Sequence, residues 1–386
     1  MFFRMIVCGH FCRFTVPRLP MPRLFLDTER MANLSSGIGQ VCLHLGRELV
    51  RQQPPGWELT FLVSPEQMGM FGPTANYVTA TRWRRVWHPW TFDVWHCLYQ
   101  NSRYLPVRPT SLVYTIHDLN YLHLPDYSDR RKARQKARYE RIIGRAAAVT
   151  TISGYVAQDV RRQLTVAPGT AIDVIYWGVN TPADSPPRPA DISLTGPFLF
   201  FVGMLQPYKN IHAMLPILRA CPEYQLVLAG PDKPAYRESI LKQAEEMGVA
   251  GRVRVLGIVD EPTKWWLYAN CGAFLFPSLH EGFGLPVIEA MRFGKPVFCS
   301  ALTSLPEVGG ANAFYFPSFE PDAVVETFRQ GMDAYRNDPA MPDHLRRHSQ
   351  SFSWEAAAAN YWKIYQDVFR GRILVMRHPD GHVRAR

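Results

Sequence analysis

Phe276-Pro277-Ser278-Leu279-His280-Glu281-Gly282-Phe283-Gly284-Leu285-Pro286-Val287-Ile288-Glu289-Ala290-Met291 is the stretch from which the rest of the chain can be read. The apolar run at 272–276 has the character of a buried parallel strand. A polar loop follows, then Gly-Phe-Gly, then Pro286, where a first helical turn accepts a residue without an N–H. A helical pattern continues to Met291. Such a strand–loop–helix unit presents free backbone N–H groups and the positive end of a helix dipole. Glu281 in the loop and Glu289 about a turn inside the helix flank that end. Carboxylates accept hydrogen bonds from vicinal hydroxyls, and N–H groups point at oxygens. The combination suits a sugar joined to a phosphate. An ordinary strand–loop–helix with solvated glutamates also fits the bare pattern.

Outward from this stretch, strands and helices alternate on both sides. A strand at 295–299 leads into Ser300-Ala301-Leu302-Thr303-Ser304-Leu305-Pro306-Glu307-Val308, and helices follow at 323–335 and 354–369. Upstream, strands at 198–202, 225–229 and 253–256 alternate with helices at 234–247 and 263–271. The loop after 198–202 reads Gly203-Met204-Leu205-Gln206-Pro207-Tyr208-Lys209-Asn210. Thr181-Pro182-Ala183-Asp184-Ser185-Pro186-Pro187-Arg188-Pro189-Ala190 has four prolines and no apolar periodicity, as a stiff linker does. Before it comes a second series. Strands are expected at 2–8, 58–63, 111–116, 146–152 and 172–176, with helices at 40–50 and 156–164. Residues 11–24, rich in Arg and Pro, read as a loop. Two βα series separated by a linker imply an α/β protein of two doubly wound, Rossmann-like domains. The expected divisions are 1–180, a linker at 181–196, a second domain at 197–371 and a basic tail at 372–386. The last helix is expected to return toward the first domain.

Composition bounds the function. A chain of 386 residues exceeds one ordinary core. Its 47% hydrophobic and 20% charged residues are those of a globular protein. No apolar run reaches the roughly 18 residues that span a bilayer. The apolar N-terminus is too short for a secretory signal and reads as a first strand. Seven scattered cysteines without metal-ligand spacing read as buried thiols in a reducing cytoplasm. The net charge of +10 suits an anionic partner, whether nucleotide diphosphate, acidic membrane or nucleic acid.

The opening stretch resembles the E-x7-E signature of retaining, nucleotide-sugar-dependent glycosyltransferases of family 4, which have the GT-B fold. The resemblance is carried by Phe-Pro-Ser, Gly-Phe-Gly-Leu-Pro and Glu-Ala-Met around Glu281 and Glu289, and by Thr-Ile-His-Asp-Leu at 115–119. It implies that Glu289 accepts from the ribose hydroxyls of the donor. Glu281 would accept from the transferred sugar, beside the N–H groups of Gly282, Phe283, Gly284 and Leu285. Lys209 matches the family's lysine for the diphosphate, next to Gly203. Thr303, Ser304 and Leu305 resemble the loop beside the phosphates. Gly37 and Gly39, just before a helix, would face the diphosphate across the cleft. His117, with Asp118 beside it at the carboxyl end of a strand, would meet the sugar.

The chain departs from the family at two places. Many members have an arginine where this chain has Met204 or Tyr208. A basic residue from elsewhere, such as the loop from Arg13 to Arg30, is then needed, or Lys209 works with backbone N–H groups alone. No Asp-x-Asp triplet is present, so no metal or other cofactor is expected. The motifs look like those of bacterial mannosyltransferases of surface-polysaccharide assembly, which favours GDP-mannose over UDP-glucose as donor. A lipid-linked or polysaccharide acceptor follows from the same resemblance. A non-catalytic nucleotide-sugar or polyanion-binding protein is the alternative.

Two surface features remain. Arg130, Arg131, Lys132, Arg134, Lys136, Arg138, Arg141 and Arg145 crowd one helical stretch with few acids. This is either a solvated face or a surface for anionic lipid, with peripheral attachment to the inner face of the cytoplasmic membrane. Nucleic acid is not expected, because no nucleic-acid module accompanies the charge. Trp83, Trp87, Trp90 and Trp95 interleave with Arg82, Arg84, Arg85 and His88. They fit partly buried aromatics, a base-stacking surface, a membrane interface or an acceptor groove.

Overall fold

The computed structural model describes residues 21–34, 36–125, 127–180, 187–189, 192, 194 and 196–377. The strand expected at 2–8 lies outside the described residues, as do Cys8, Cys12, Arg13 and most of the linker.

The first sheet contains β1 (Arg23–Asp27), β2 (Glu58–Val63), β3 (Asn76–Thr79), β4 (Val94–Cys97), β5 (Ser111–Ile116), β6 (Ala148–Thr151) and β7 (Ile172–Val174). Their order is β3-β2-β1-β4-β5-β6-β7, and every pair is parallel. α1 (Gly37–Arg51), α2 (Asn120–His123), α3 (Asp129–Ile143) and α4 (Gly154–Gln163) lie in its connections. The second sheet contains β8 (Phe198–Val202), β9 (Gln225–Ala229), β10 (Val253–Gly257), β11 (Ala273–Phe276), β12 (Val297–Ser300) and β13 (Phe314–Phe316). Their order is β10-β9-β8-β11-β12-β13, again all parallel. With it go α5 (Leu215–Ala220), α6 (Pro234–Glu246), α7 (Glu261–Asn270), α8 (Leu285–Arg292), α9 (Leu305–Gly309), α10 (Pro321–Asn337) and α11 (Met341–Gln350), and the chain's last described helix is α12 (Trp354–Arg377).

Parallel pairing requires crossovers; helices supply most of them, whereas β2 and β3, and β4 and β5, are joined without an α-helix. Helices cover the sheets, so interior strands are apolar along their length; all six residues of β5 are buried, whereas the edge strands β3, β7 and β10 are partly exposed. The chain changes sheets between β7 and β8. In each sheet the strand order reverses once, at β1/β4 and at β8/β11. Ligand crevices of open α/β sheets form at such points, beyond the carboxyl ends of the strands.

Three expectations are corrected. The loop expected over 11–24 gives way at Arg23 to β1, an interior strand of the first sheet, paired to β2 and β4. Its five residues follow directly on Pro22, too short a run to stand out from its surroundings. The tail expected from 372 begins as helix, because α12 continues to Arg377. The four tryptophans do not share one environment. Trp95 is buried in β4, whereas Trp83 and Trp87 are 55% and 60% exposed.

α12 is last in the chain but packs on the first sheet's domain. Trp362 Nε1–H donates to Leu49 O at 3.0 Å. The Tyr365 hydroxyl and His96 Nδ1 are 2.6 Å apart. Both contacts are buried, so the terminal helix ties the second domain back to the first.

Candidate functional site

The loop after β11 is built by close packing. Gly284 has φ +107, a left-handed conformation open to glycine, and a Cβ there would sit 2.6 Å from Leu305 Cδ2. A Cβ on Gly282 would lie 2.1 Å from His117 O, so the two domains touch backbone to backbone at this glycine. The Ser304 hydroxyl donates to Phe283 O at 2.8 Å and reaches Glu281 O at 3.1 Å. Thr303 accepts from Glu281 N–H at 3.1 Å. Thr303 has φ +57, which costs a β-branched residue on the order of 1–3 kcal/mol and marks a conformation imposed by its surroundings. Phe283 and Leu305 are buried. Ser304, Leu305 and Phe283 therefore shape the loop through packing and its carbonyls, whereas Glu281 and Thr303 are partly exposed beside it.

Lys209 follows β8 and Glu281 follows β11, and these strands are neighbours at the switch point. The sheet order brings the two side chains together, with Lys209 Nζ 2.5 Å from Glu281 Oε1. Their side chains are 11% and 14% exposed. The Lys209 ammonium also lies 5.3 Å from the Tyr208 ring centre and 5.1 Å from that of Phe276. The sequence places each residue at a site but does not show that they pair. Of the two positions without arginine, Met204 is exposed, and Tyr208 accepts a backbone hydrogen bond from Leu279 N–H at 2.8 Å. Gly203 has φ +148 and its carbonyl lies against Gly230, where a Cβ would come within 2.2 Å.

Glu289 is buried in α8. The Tyr268 hydroxyl donates to its Oε2 at 2.7 Å, and Lys264 Nζ is 3.4 Å from its Oε1. Lys264 also pairs with Glu261 at 2.9 Å. Burial would lower the Lys264 pKa, but Glu289 and Glu261 reverse this and hold it above the usual lysine range. Sequence reasoning missed Tyr268 and Lys264. The i, i+3 spacing of Glu261 and Lys264 was visible, but only the packing of α7 on α8 aims them at Glu289. From the first domain, burial pushes the His44 imidazole down to about 4, and the charges of Arg47 and Lys264 add to this.

On the first domain, His117 follows β5 and is buried. Its Nε2–H donates to Leu98 O at 2.5 Å, which leaves Nδ1 as a buried acceptor without a partner. Burial, with the Arg30 guanidinium, pushes this imidazole down to about 4 against the Leu98 hydrogen bond. Burial likewise pushes the Asp118 carboxyl up, and the Glu281 charge contributes. Gln100, which the sequence did not single out, fixes the turn by accepting from His117 N–H at 3.1 Å and donating to Asp118 O at 3.2 Å. Gly37 and Gly39 open α1, where Ser36 accepts from Gly39 N–H at 3.1 Å. A Cβ on Gly39 would lie 2.1 Å from Asn33 O, while Gly37 faces open space.

On the basic helix α3, Arg130, Arg131 and Arg134 are exposed, and Lys132 and Lys136 are partly exposed. Arg138 turns inward, donating to Gln100 O and Ser102 O. No helix among the described residues is long and apolar enough to cross a membrane.

Comparison with known proteins bears on the family and the fold. Residues 187–347 match the model of the glycosyl transferases group 1, and residues 35–182 match that of glycosyltransferase family 4. The chain is similar to the O-antigen chain mannosyltransferase B of Escherichia coli, with 31% identity over 283 residues, 68% of this chain and 72% of that protein. It is 32% identical over 232 residues to the serotype-specific mannosyltransferase WbdA of Escherichia coli, a match spanning 55% of this chain and 28% of that protein. Among solved structures, sucrose-phosphate synthase from Thermosynechococcus elongatus superposes with a TM-score of 0.72 at 19% identity, covering 91% of this chain and all of that one (100%). HepE of Anabaena in complex with UDP and glucose superposes with a TM-score of 0.63 at 17% identity, covering 90% and 99%. At those identities the likeness speaks for the fold alone. With both halves matched and a relative above 30% identity aligned over most of its length, this chain belongs to the family 4 glycosyltransferases, nucleotide-sugar-dependent enzymes of GT-B fold, and resembles the bacterial mannosyltransferases among them.

Proposed function

We propose that the enzyme moves mannose from GDP-mannose, with retention of configuration, onto a lipid-linked or polysaccharide acceptor in surface-glycan synthesis. The observation that carries this reading is the Lys209–Glu281 pair at the switch point of the second sheet, facing the His117 turn of the first domain. The choice of mannose draws on the relatives named as O-antigen and serotype-specific mannosyltransferases.

In this reading Lys209 turns from Glu281 to the donor diphosphate, and Glu281 is released to accept from the sugar hydroxyls. Glu289, held by Tyr268 and Lys264, accepts from the ribose. His117 Nδ1 accepts from a hydroxyl of the same sugar, and Asp118 adds an acceptor beside it. Arg30, stacked 4.5 Å over the Tyr99 ring, supplies the second cation that positions 204 and 208 lack. The bond from the sugar carbon to the phosphate oxygen breaks with its electron pair going to the phosphate. The acceptor oxygen bonds that carbon on the same face, and its proton passes to the departing phosphate oxygen. Charge grows on the leaving group, so Lys209 and the N–H groups of 282–285 count most in the transition state. No metal takes part in this scheme, and a chelator is expected to leave the rate unchanged.

The acceptor's lipid would be met at an anionic membrane surface on the first domain, the inner face of the cytoplasmic membrane. The exposed arginines of α3 and the exposed Trp83, Val86 and Trp87 support this.

The test is thermal denaturation with a panel of nucleotide diphosphates, followed by donor hydrolysis without acceptor. GDP at 100 times its dissociation constant adds about 2.7 kcal/mol of stability. A shift with GDP but not UDP, and slow release of GDP from GDP-mannose, is the expected result. A shift with UDP alone overturns the donor, and consumption of no nucleotide sugar overturns the enzymatic reading.

A further inference from the structure

α9 follows directly on the loop that shapes the donor site, and it carries a carboxylate that crosses to the other domain. Glu307 Oε1 accepts from Gly154 N–H at 2.6 Å, and Oε2 accepts from Tyr155 N–H at 2.9 Å. The Tyr176 hydroxyl donates to Oε1 at 2.8 Å. Gly154 and Tyr155 form the first turn of α4, so the carboxylate occupies the positive end of a first-domain helix. Such charge-assisted bonds are among the stronger hydrogen bonds of a protein. A Cβ on Gly154 would come within 3.1 Å of Glu307 Oε1.

A second contact lies alongside. Ser153, the N-cap of α4, accepts from Val156 N–H at 3.1 Å and donates to Gly282 O at 2.7 Å. Gly282 is the residue that abuts His117 O and directly follows Glu281. The chain of contacts therefore runs from α4 through Glu307 and Ser304 to Glu281, and from α4 through Ser153 and Gly282 to His117. A rotation that released Glu307 from α4 would move the two sugar-facing groups relative to each other. Lys209 and Glu289, which face the nucleotide in the reading above, would keep their own partners.

We infer that Glu307 is a positioning residue for the transfer, a pin that fixes the first domain on the second so that His117 and Glu281 meet one sugar. Only the kinetic part of its test rests on the proposed reaction; amide exchange and scattering test the pin without activity. Glu307→Ala should accelerate hydrogen exchange at the Gly154 and Tyr155 amides and enlarge the radius of gyration by solution scattering. With GDP-mannose it should lower kcat about tenfold or more, since misplacement of reacting groups by an ångström is enough for that. GDP affinity should fall by clearly less than kcat, because Lys209 and Glu289 stay together in the second domain and only Arg30 reaches the nucleotide from the first. Glu307→Gln keeps one acceptor oxygen and should recover part of the loss. Tyr176→Phe removes one of three donors and should speed exchange at the same amides, which serves if Glu307→Ala does not fold. Unchanged exchange and scattering in Glu307→Ala, or in Tyr176→Phe where the former is lost, overturn the inference. So does a fall in GDP affinity as large as the fall in kcat, which would place Glu307 on the donor itself. Failure to turn over any nucleotide sugar, with faster exchange in the variants, refutes the proposed reaction and leaves the pin standing.

Discussion

Replacing Glu281 by Gln should tighten the binding of free GDP, the opposite of what loss of a donor-site residue ordinarily does. Lys209 Nζ is engaged 2.5 Å from Glu281 Oε1. A diphosphate must draw the ammonium away, and GDP has no sugar to give Glu281 in return. The Gln side chain keeps the shape and removes both the competing charge and its repulsion of the phosphates. A fully exposed pair is worth about 0–1 kcal/mol, and removing one partner of a fully buried pair costs about 3–5 kcal/mol. With side chains 11% and 14% exposed at the edge of a cleft, this pair belongs between those limits. Taking about 1–2 kcal/mol, GDP should bind roughly 5- to 30-fold more tightly to Glu281→Gln. Lys209→Met should do the reverse. It removes a charge-assisted hydrogen bond worth about 1.5–3 kcal/mol, so GDP affinity should fall by roughly one to two decades. Turnover of GDP-mannose should drop in both variants, because one loses the sugar contact and the other the phosphate charge. Isothermal titration of the three proteins with GDP, at low and high salt, decides the matter. If Glu281→Gln weakened GDP tenfold, or Lys209→Met left it unchanged, the phosphates would not lie at this pair and the placement of the donor would be wrong.

Three further outcomes follow from the same geometry. Gly282→Ala puts a Cβ 2.1 Å from His117 O, a backbone atom that cannot give way, so the domains must separate; kcat should fall about 100-fold, with a smaller fall in GDP affinity as Arg30 is drawn away, and unchanged kcat would show that this contact is absent in the working state. Burial pushes His44 and His117 down to about 4 and His96 down to about 3, so these groups bind fewer protons in the folded protein than in the unfolded chain below pH 6.5; stability is lost as the pH falls, about 2 kcal/mol by pH 5 for each of the fully buried His96 and His117, less for the partly exposed His44, and offset in part by Asp27, which burial pushes up to about 6; a Tm that stays level from pH 7 to 5 would refute this. Flotation with anionic vesicles should show binding that weakens with salt and with Trp83→Ala/Trp87→Ala, whereas equal binding to neutral vesicles at every salt concentration would refute the electrostatic part of the membrane reading.

What could be read from the sequence was local. β11, its loop and α8 are consecutive, and their signals are short-range: an apolar run, two glycines, a proline in the first turn and two carboxylates at fixed spacing. Strands such as β5 and β9 are apolar along their length because both faces are covered, so they too announce themselves. β1 did not, because five residues after a proline carry little signal of their own; its interior place comes from neighbours on both sides. Composition likewise could not separate Trp95, buried in β4, from Trp83 and Trp87 on an exposed turn.

The pairings at the site belong to the tertiary structure. Lys209 and Glu281 are 72 residues apart, and they meet because β8 and β11 are neighbours where the strand order reverses. Glu289 was legible as a carboxylate on α8, but Tyr268 and Lys264, which hold it, come from α7 packed alongside. Glu307 stood in plain view in Ser-Leu-Pro-Glu-Val, yet its partners Gly154 and Tyr155 lie in the other domain. Most of the strands and helices, though not β1, β3, β4 or β13, and the loops that carry chemistry were legible in the sequence, because periodicity, turn residues and capping act within a few residues. Which of those loops face one another was decided by strand order and by the packing of one domain on the other, because those contacts join residues that have no influence on each other until the chain has folded.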